Sequence, residues 1–277
     1  MQLKQLEDNA GLPLFERMGR GVALTEAGQM LVHHALRILG EIKDAEASLQ
    51  ALLGAEVGQL SVGLVSTAKY FMPRLLAQFA QRHPGVAVQF AVGNRELLLQ
   101  KLQDNAIDLA VMGRTPVEID AHAEPMASHP YILIGPADHP LRDARRFDLH
   151  ELRHETFLLR EEGSGSRRVA EEMFRNHLFT PPRTISMGSN ETIKQAVMAG
   201  MGISLISLHT LPLELKTGEV SVLDVIGTPI ERTWYVVHMN GKRLLPAGQK
   251  FRNFLLDEAA PGLEREFGRY LAAHTAA

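Results

Sequence analysis

Cysteine is absent from all 277 residues, which excludes disulfides, thiolate metal sites, iron–sulfur clusters and thiol-based redox sensing. An excess of one charge sign is missing too. The 29 Lys and Arg stand against 32 Asp and Glu, a net of -3, so contact with a polyanion has to be local rather than a property of the whole surface. No apolar run approaches the roughly 18 residues of a membrane span. The start, MQLKQLEDNAGLPLF, has no apolar core behind a basic segment, so neither a membrane partner nor a signal peptide is expected and the reading is cytoplasmic. A nucleophile elbow is also lacking: there is no G-x-S-x-G, and no carboxylate pair has an interpretable separation, so no enzyme, no metal and no cofactor is expected. What remains is an ordinary folded composition, 45% apolar and 22% charged, long enough for two domains.

The residues from Leu24 to Gly54 contain no proline. Thr25 suits an N-cap and Gly54 a stop, so the segment reads as one helix. Leu31, Ala35, Ile38, Ile42, Ala45, Leu49 and Leu52 recur at alternating spacings of four and three, a 3.5-residue period that suits a seam for another helix. An amphipathic helix covering its own core is the alternative. Ahead of it lie the tail of a helix up to about Asn9, a Gly-Leu-Pro turn and an arm carrying Arg17 and Arg20 between glycines. Such an arm can lie along a phosphate backbone or be a plain solvated loop.

From Gly58 the pattern alternates. QLSVGLVST, a helix from about Met72 to Arg82, VAVQFAV, NRELLLQKLQ and IDLAVMG read as β-α-β-α-β, with strands apolar enough for a parallel sheet buried on both faces. Leu97, Leu98, Lys101 and Leu102 set out a stripe with Asn94 as cap. A second unit follows in PYILIGP, TFLLR, a helix from about Ser166, TISMG, NETIKQAVMAG and GISLIS, and VSVLDV, ERTWYVVHM and two helical stretches complete the chain. Met187, Met198 and Met201 read as core filling. Two small α/β lobes joined by crossovers are similar to a periplasmic binding protein, with a ligand at the carboxyl ends of the strands.

LLREEGSGSRRVAEEMF at 158–174 sits at such a strand end. It lacks the lysine and spacing of a Walker A loop. Small residues before a helix N-terminus present unpaired N–H groups to an anion, so Ser164, Gly165, Ser166 and Arg167 are candidate ligand contacts; a flexible turn is the alternative. Ser66, Thr67 and Lys69 follow the first strand, Asn94 the second and Arg114 the third. On the second unit Asn190 and Glu191 follow Ser189, where helix capping is the competing role. Lys69, Arg95, Arg114 and Arg167 at strand ends favour an anionic ligand.

LFER, the Gly/Arg arm and LTEAG resemble the wing and linker-helix entry of the LysR-type bacterial transcription regulators. HPL at 139–141 and GMGISLIS at 200–207 also resemble that family. GNRELLLQKLQDNAIDLAVMGRTP (93–116), ETFLLREEGSGSR (155–167) and GSNETIKQAVMAGMGISLISLHTL (188–211) are similar to its subgroup controlling Calvin-cycle carbon-fixation operons. The resemblance implies a DNA-binding regulator whose winged helix-turn-helix lacks about forty N-terminal residues, leaving Lys4, Arg17 and Arg20 as DNA contacts. It implies a linker helix pairing subunits into a homodimer or homotetramer, and an effector that is a phosphorylated sugar intermediate or a reduced nicotinamide nucleotide. The expected domains are a wing remnant at 1–24, a linker helix at 25–57, effector lobe I at 58–128 and 241–277, and effector lobe II at 129–240. A soluble small-molecule-binding protein or a transferase on the same two-lobed fold is the runner-up.

Overall fold

A computed structural model describes residues 2–19, 21–52 and 58–275. Helix α1 (Gln2–Ala10) ends at Gly11, whose positive φ of 67° lets its N–H return to the carbonyl of Glu7 at 2.9 Å, the usual glycine stop. The Glu7 carboxylate then accepts the Leu14 N–H at 2.8 Å and steers the chain into an antiparallel hairpin of β1 (Phe15–Met18) and β2 (Gly21–Leu24). The glycine-flanked arm is therefore a wing. Lys4 on α1 and Arg17 on the wing are exposed, while Arg20 lies outside the described residues.

Thr25 caps α2 (Glu26–Leu52) as its sequence predicts: its Oγ1 accepts the Gly28 N–H at 3.0 Å and donates to Pro13 O at 2.7 Å. A Cβ at Gly28 would stand 2.1 Å from the Leu14 carbonyl oxygen, so only glycine lets the wing seat here. The helix has 27 residues, about 40 Å at 1.5 Å per residue. The stop predicted at Gly54 lies outside the described residues.

One face of α2 rests on the body. His33 bonds to Asp104, and a Cβ on Gly40 would come within 2.6 Å of the Asn105 side chain. Residues 33 and 40 are seven apart and share a face. The 3.5-residue stripe is on the other side: Ala35 and Ala45 are exposed, Leu31 is half-buried, and Ile38, Ile42 and Leu49 are 61%, 51% and 61% exposed. Leu52 ends the helix, but its side chain falls outside the description.

Lobe I comprises β3 (Gly58–Val65), α3 (Met72–Arg82), β4 (Val86–Gly93), α4 (Arg95–Gln103), β5 (Leu109–Met112) and β6 (Ala121–Ser128). The chain then crosses to lobe II, with β7 (Tyr131–Pro136), β8 (Thr156–Arg160), α5 (Gly165–Asn176), β9 (Arg183–Met187), α6 (Asn190–Met198), β10 (Ser204–Ser207), α7 (Pro212–Thr217) and β11 (Val220–Leu223). It returns as β12 (Thr233–Met239) and α8 (Pro246–Asn253), which runs through a π-helical stretch into α9 (Ala260–Thr275). The two crossovers pair with each other: His129 N–H donates to Arg232 O at 2.7 Å and Tyr131 N–H to Ile230 O at 3.0 Å.

The lobe boundary expected at residue 240 is corrected. The five-stranded sheet of lobe I has the order β4-β3-β5-β12-β6, so residues 233–239 belong to lobe I. Trp234 and Val236 are fully buried in its core with Phe79 and Phe251, and that burial pulls the strand across. The expected parallel sheets are mixed, because β12 runs antiparallel to both β5 and β6. In lobe II, β7 is antiparallel to β10 and β11 while β8 and β9 are parallel. Nor is every strand covered on both faces: β4 is an edge, with Phe90 52% exposed. On α4 the buried stripe is Leu98, Leu99 and Leu102, with Leu97 turned outward. Met187 and Met198 pack against the core as expected, but Met201 is half exposed, beyond the end of α6.

Candidate functional site

Between the lobes lies a cavity of about 150 Å³. Lobe I supplies the ends of β3, β4 and β5, lobe II the end of β8 and the start of α5, and the crossovers form the floor. Strand carboxyl ends and helix N-termini converge there because parallel β-α units place them at one edge of each sheet. Gly163, in the left-handed region at φ 80°, turns the chain from β8 into α5. Ser164 then precedes the helix in an extended conformation without spending its hydroxyl on a cap bond. The first-turn N–H groups and the Ser164 hydroxyl thus remain available to an acceptor, while the Ser166 hydroxyl is bonded to the Tyr131 side chain.

Of the predicted contacts, Ser66, Thr67, Asn94, Arg114, Ser164, Gly165 and Ser166 line this cavity. Asn94 also caps α4, accepting the Leu97 N–H at 2.9 Å, so it serves as a helix cap while lining the cavity. Four others are placed elsewhere. Arg167 turns back along its helix to Glu171 at 2.8 Å, and Arg168 takes its place in the lining. Lys69 stacks over the Tyr70 ring. Asn190 is buried one layer behind, accepting from Arg160 at 2.7 Å and reaching Thr67 Oγ1 at 3.4 Å across the cleft. Glu191 accepts the Tyr70 hydroxyl at 3.0 Å and pairs with Lys194, tying the lobes together beside the cavity. The cap of α6 is Ser189, whose Oγ accepts the Thr192 N–H at 3.1 Å.

Sequence reasoning missed the floor and the strongest charge. Arg160 ends β8 and is 5% exposed. It holds Glu161 through Nε at 2.7 Å and Nη2 at 2.6 Å, and its Nη1 faces Ser66 at 3.5 Å. Its only signal was an arginine closing an otherwise apolar strand. His129 stacks on Trp234 with centroids 3.8 Å apart and bonds Ser207 at 3.0 Å, while its Nδ1 has no partner among the described residues. Burial first, then the neighbouring His209 and Arg232, holds it well below the ordinary imidazole range, so it is a neutral group near pH 7. Arg232 also lines the cavity and is paired with Glu172.

The electrostatics favour an anion. Five guanidiniums (Arg95, Arg114, Arg160, Arg168 and Arg232) border the cavity against two carboxylates, Glu161 and Glu172. Arg95 and Arg114 are braced by Glu118, at 2.6 and 2.9 Å; the hydrogen bond from Arg95 chiefly holds that carboxylate down at about 2. The arginines are thereby held in place before any ligand arrives, and such pre-organisation lowers the ordering cost of binding.

Comparisons with known proteins agree with this geometry. The family model for the LysR substrate binding domain matches residues 54–260, and that for the bacterial regulatory helix-turn-helix protein of the lysR family matches residues 1–29. The chain is 63% identical to the HTH-type transcriptional regulator CfxR of Cupriavidus necator over 268 residues, covering 97% of this chain and 84% of that one. It is 45% identical to a RuBisCO operon transcriptional regulator of Allochromatium vinosum over 260 residues, covering 94% and 86%. The Synechocystis PCC6803 CcmR regulatory domain, solved in complex with 2-PG, superposes with a TM-score of 0.67 at 39% identity, covering 72% of this chain and 96% of that one. No helix among the described residues is long and apolar enough to cross a membrane. The chain belongs to the LysR family of bacterial transcriptional regulators.

Proposed function

We propose that this regulator controls carbon-fixation genes from the bacterial cytoplasm and reads a small phosphorylated anion in the interlobe cavity. The observation that carries the reading is the convergence of five arginines and a free helix start on a space of about 150 Å³. The relatives that regulate RuBisCO operons and the CcmR domain that holds 2-PG support the gene target and the ligand class. A cavity of this scale suits a ligand of roughly benzene size or a little more, which favours a short phosphorylated acid over a whole nicotinamide dinucleotide.

The role is sensing rather than catalysis. Four of the five guanidiniums, Arg95, Arg114, Arg160 and Arg232, are held by carboxylates, and the one imidazole in the lining, His129, is buried and neutral. Ligand would act by preferring one lobe arrangement, since Arg160 on lobe II and Ser66 on lobe I face each other across the cleft. The exposed stripe of Ile38, Ile42 and Leu49 on α2 is the surface by which two copies pair. Lys4 and Arg17 on α1 and the wing, with Arg20, supply DNA phosphate contacts.

Isothermal titration with 2-PG, ribulose bisphosphate, phosphoenolpyruvate and NADPH tests the sensing role. Heat and a raised melting temperature with a short phosphorylated acid are expected; silence with all four would overturn it. Gel shift on carbon-fixation promoter DNA, with this chain and with one carrying the relatives' N-terminal helix-turn-helix residues, tests DNA recognition. Failure of both to bind would favour a small-molecule-binding protein instead.

A further inference from the structure

A second cluster of ligating side chains lies on lobe I, about 20 Å along β6 from the crossover by strand rise. His122 and Glu124 are two residues apart on β6 and so point to the same face. His238 on β12 is the direct cross-strand partner of His122. The two imidazole centroids are 5.4 Å apart, and His122 Nε2 is 3.8 Å from Glu124 Oε1. One donor atom from each of the three falls within 4.8 Å of the others. None of them lines the interlobe cavity.

We infer that His122, Glu124 and His238 bind a divalent transition-metal ion of the zinc type. Two imidazoles and one carboxylate with an open fourth position form a donor set that suits Zn²⁺. Bond lengths near 2 Å put tetrahedral donors about 3.3 Å apart, so side-chain rotations alone close the remaining gap. A second observation points the same way. His238 Nδ1 lies 3.2 Å from the carbonyl oxygen of Met239, and donating there leaves the Nε2 lone pair free. Fixing the tautomer through a backbone carbonyl is the outer-shell arrangement that metal-ligating histidines use. His122 is exposed and the other two are half-buried, so an ion can enter from solvent.

Glu124 has a competitor. Arg252 on α8 forks onto both of its carboxylate oxygens and supplies the positive charge in the ion-free chain. An arriving metal must share or take that carboxylate, which lowers its affinity and couples the site to α8. The H-x-E spacing at 122–124 says nothing of His238, more than a hundred residues on, so the site was not legible in the sequence.

Titrating ZnCl₂ into the purified full chain against a chromogenic chelator tests this. Wild type should take up Zn²⁺ at micromolar concentrations. His122→Ala and His238→Ala should each weaken uptake at least about tenfold, and Arg252→Ala, which releases Glu124, should tighten it. Melting curves without metal report whether the variants are folded, and His122→Gln serves if His122→Ala is not. Unchanged uptake by the folded double variant H122A/H238A, or no uptake by wild type at high-micromolar Zn²⁺, would overturn the assignment.

Discussion

Replacing Arg160 by glutamine should separate ligand binding from folding. Arg160 is 5% exposed and spends its guanidinium on Glu161, Asn190 and the Ser66 side of the cleft. Glutamine keeps an amide donor for Asn190. Glu161, whose side chain is 42% exposed, stays solvated when its partner goes, so no charge is stranded. The structural cost should therefore be near 1 kcal/mol, or about 2–4 °C in melting temperature for a chain of this size. A hydrogen bond between a guanidinium and a phosphate is worth about 1.5–3 kcal/mol, which corresponds to roughly 10- to 150-fold in affinity. Calorimetric titration of wild type and Arg160→Gln with 2-PG reads that ratio directly. If the folded variant binds within about twofold of wild type, Arg160 does not touch the anion and the cavity reading fails at its most buried charge.

Three further outcomes follow from features elsewhere. A Cβ on Gly202 would stand 2.2 Å from the Thr156 carbonyl oxygen, so Gly202→Ala should destabilise lobe II by about 1–3 kcal/mol or more, and a melting temperature unchanged from wild type would count against that packing. His209 is pushed down to about 3 by burial. The unfolded chain therefore takes up a proton below about pH 6.5 that the folded chain refuses, and the stability this residue contributes above that pH drains as pH falls toward 3, with a slope on the order of 1.4 kcal/mol per pH unit. Denaturant melts at pH 7, 6 and 5 should show this decline, shallower in His209→Gln; equal slopes would refute it. Ile38→Glu with Ile42→Glu, at positions 61% and 51% exposed, should leave the melting temperature nearly unchanged while light scattering shows monomers, and an intact dimer would remove α2 as the pairing surface.

The elements built from local signals were legible before any coordinates. Thr25, Asn94 and Ser189 each cap a helix where an oxygen-bearing side chain precedes an apolar period, and the stripe on α2 projects from the body as a 3.5-residue repeat requires. The loops at Ser66, Asn94, Arg114 and Ser164 came together because strand ends in α/β lobes share an edge. What stayed hidden depended on contacts between distant segments. Whether 233–239 joins lobe I or lobe II is decided by the burial of Trp234, which no window of sequence reveals. Arg167 and Arg168 differ by about 100° around a helix, so a shift of one residue in phase decides which faces the ligand, and Glu171 four residues on claims the former. Arg160 and His129 carry no periodic signal, since the one closes an apolar strand ahead of two glutamates and the other sits in a crossover between Ser128 and Pro130.

The glycine under α2 gives the fold a stiff transmission element. At Gly40 the long helix meets Asn105 with no side chain of its own between them. The turn at 104–105 closes α4, a rod of nine residues, about 14 Å long, whose opposite tip carries Asn94 and Arg95 at the cavity rim. If the proposed anion displaces that tip on binding, the far end bears directly on α2, with no side chain at position 40 to take up the movement. A bulkier residue at position 40 would then act as a spacer that holds the end of α4 and the long helix apart and uncouples them.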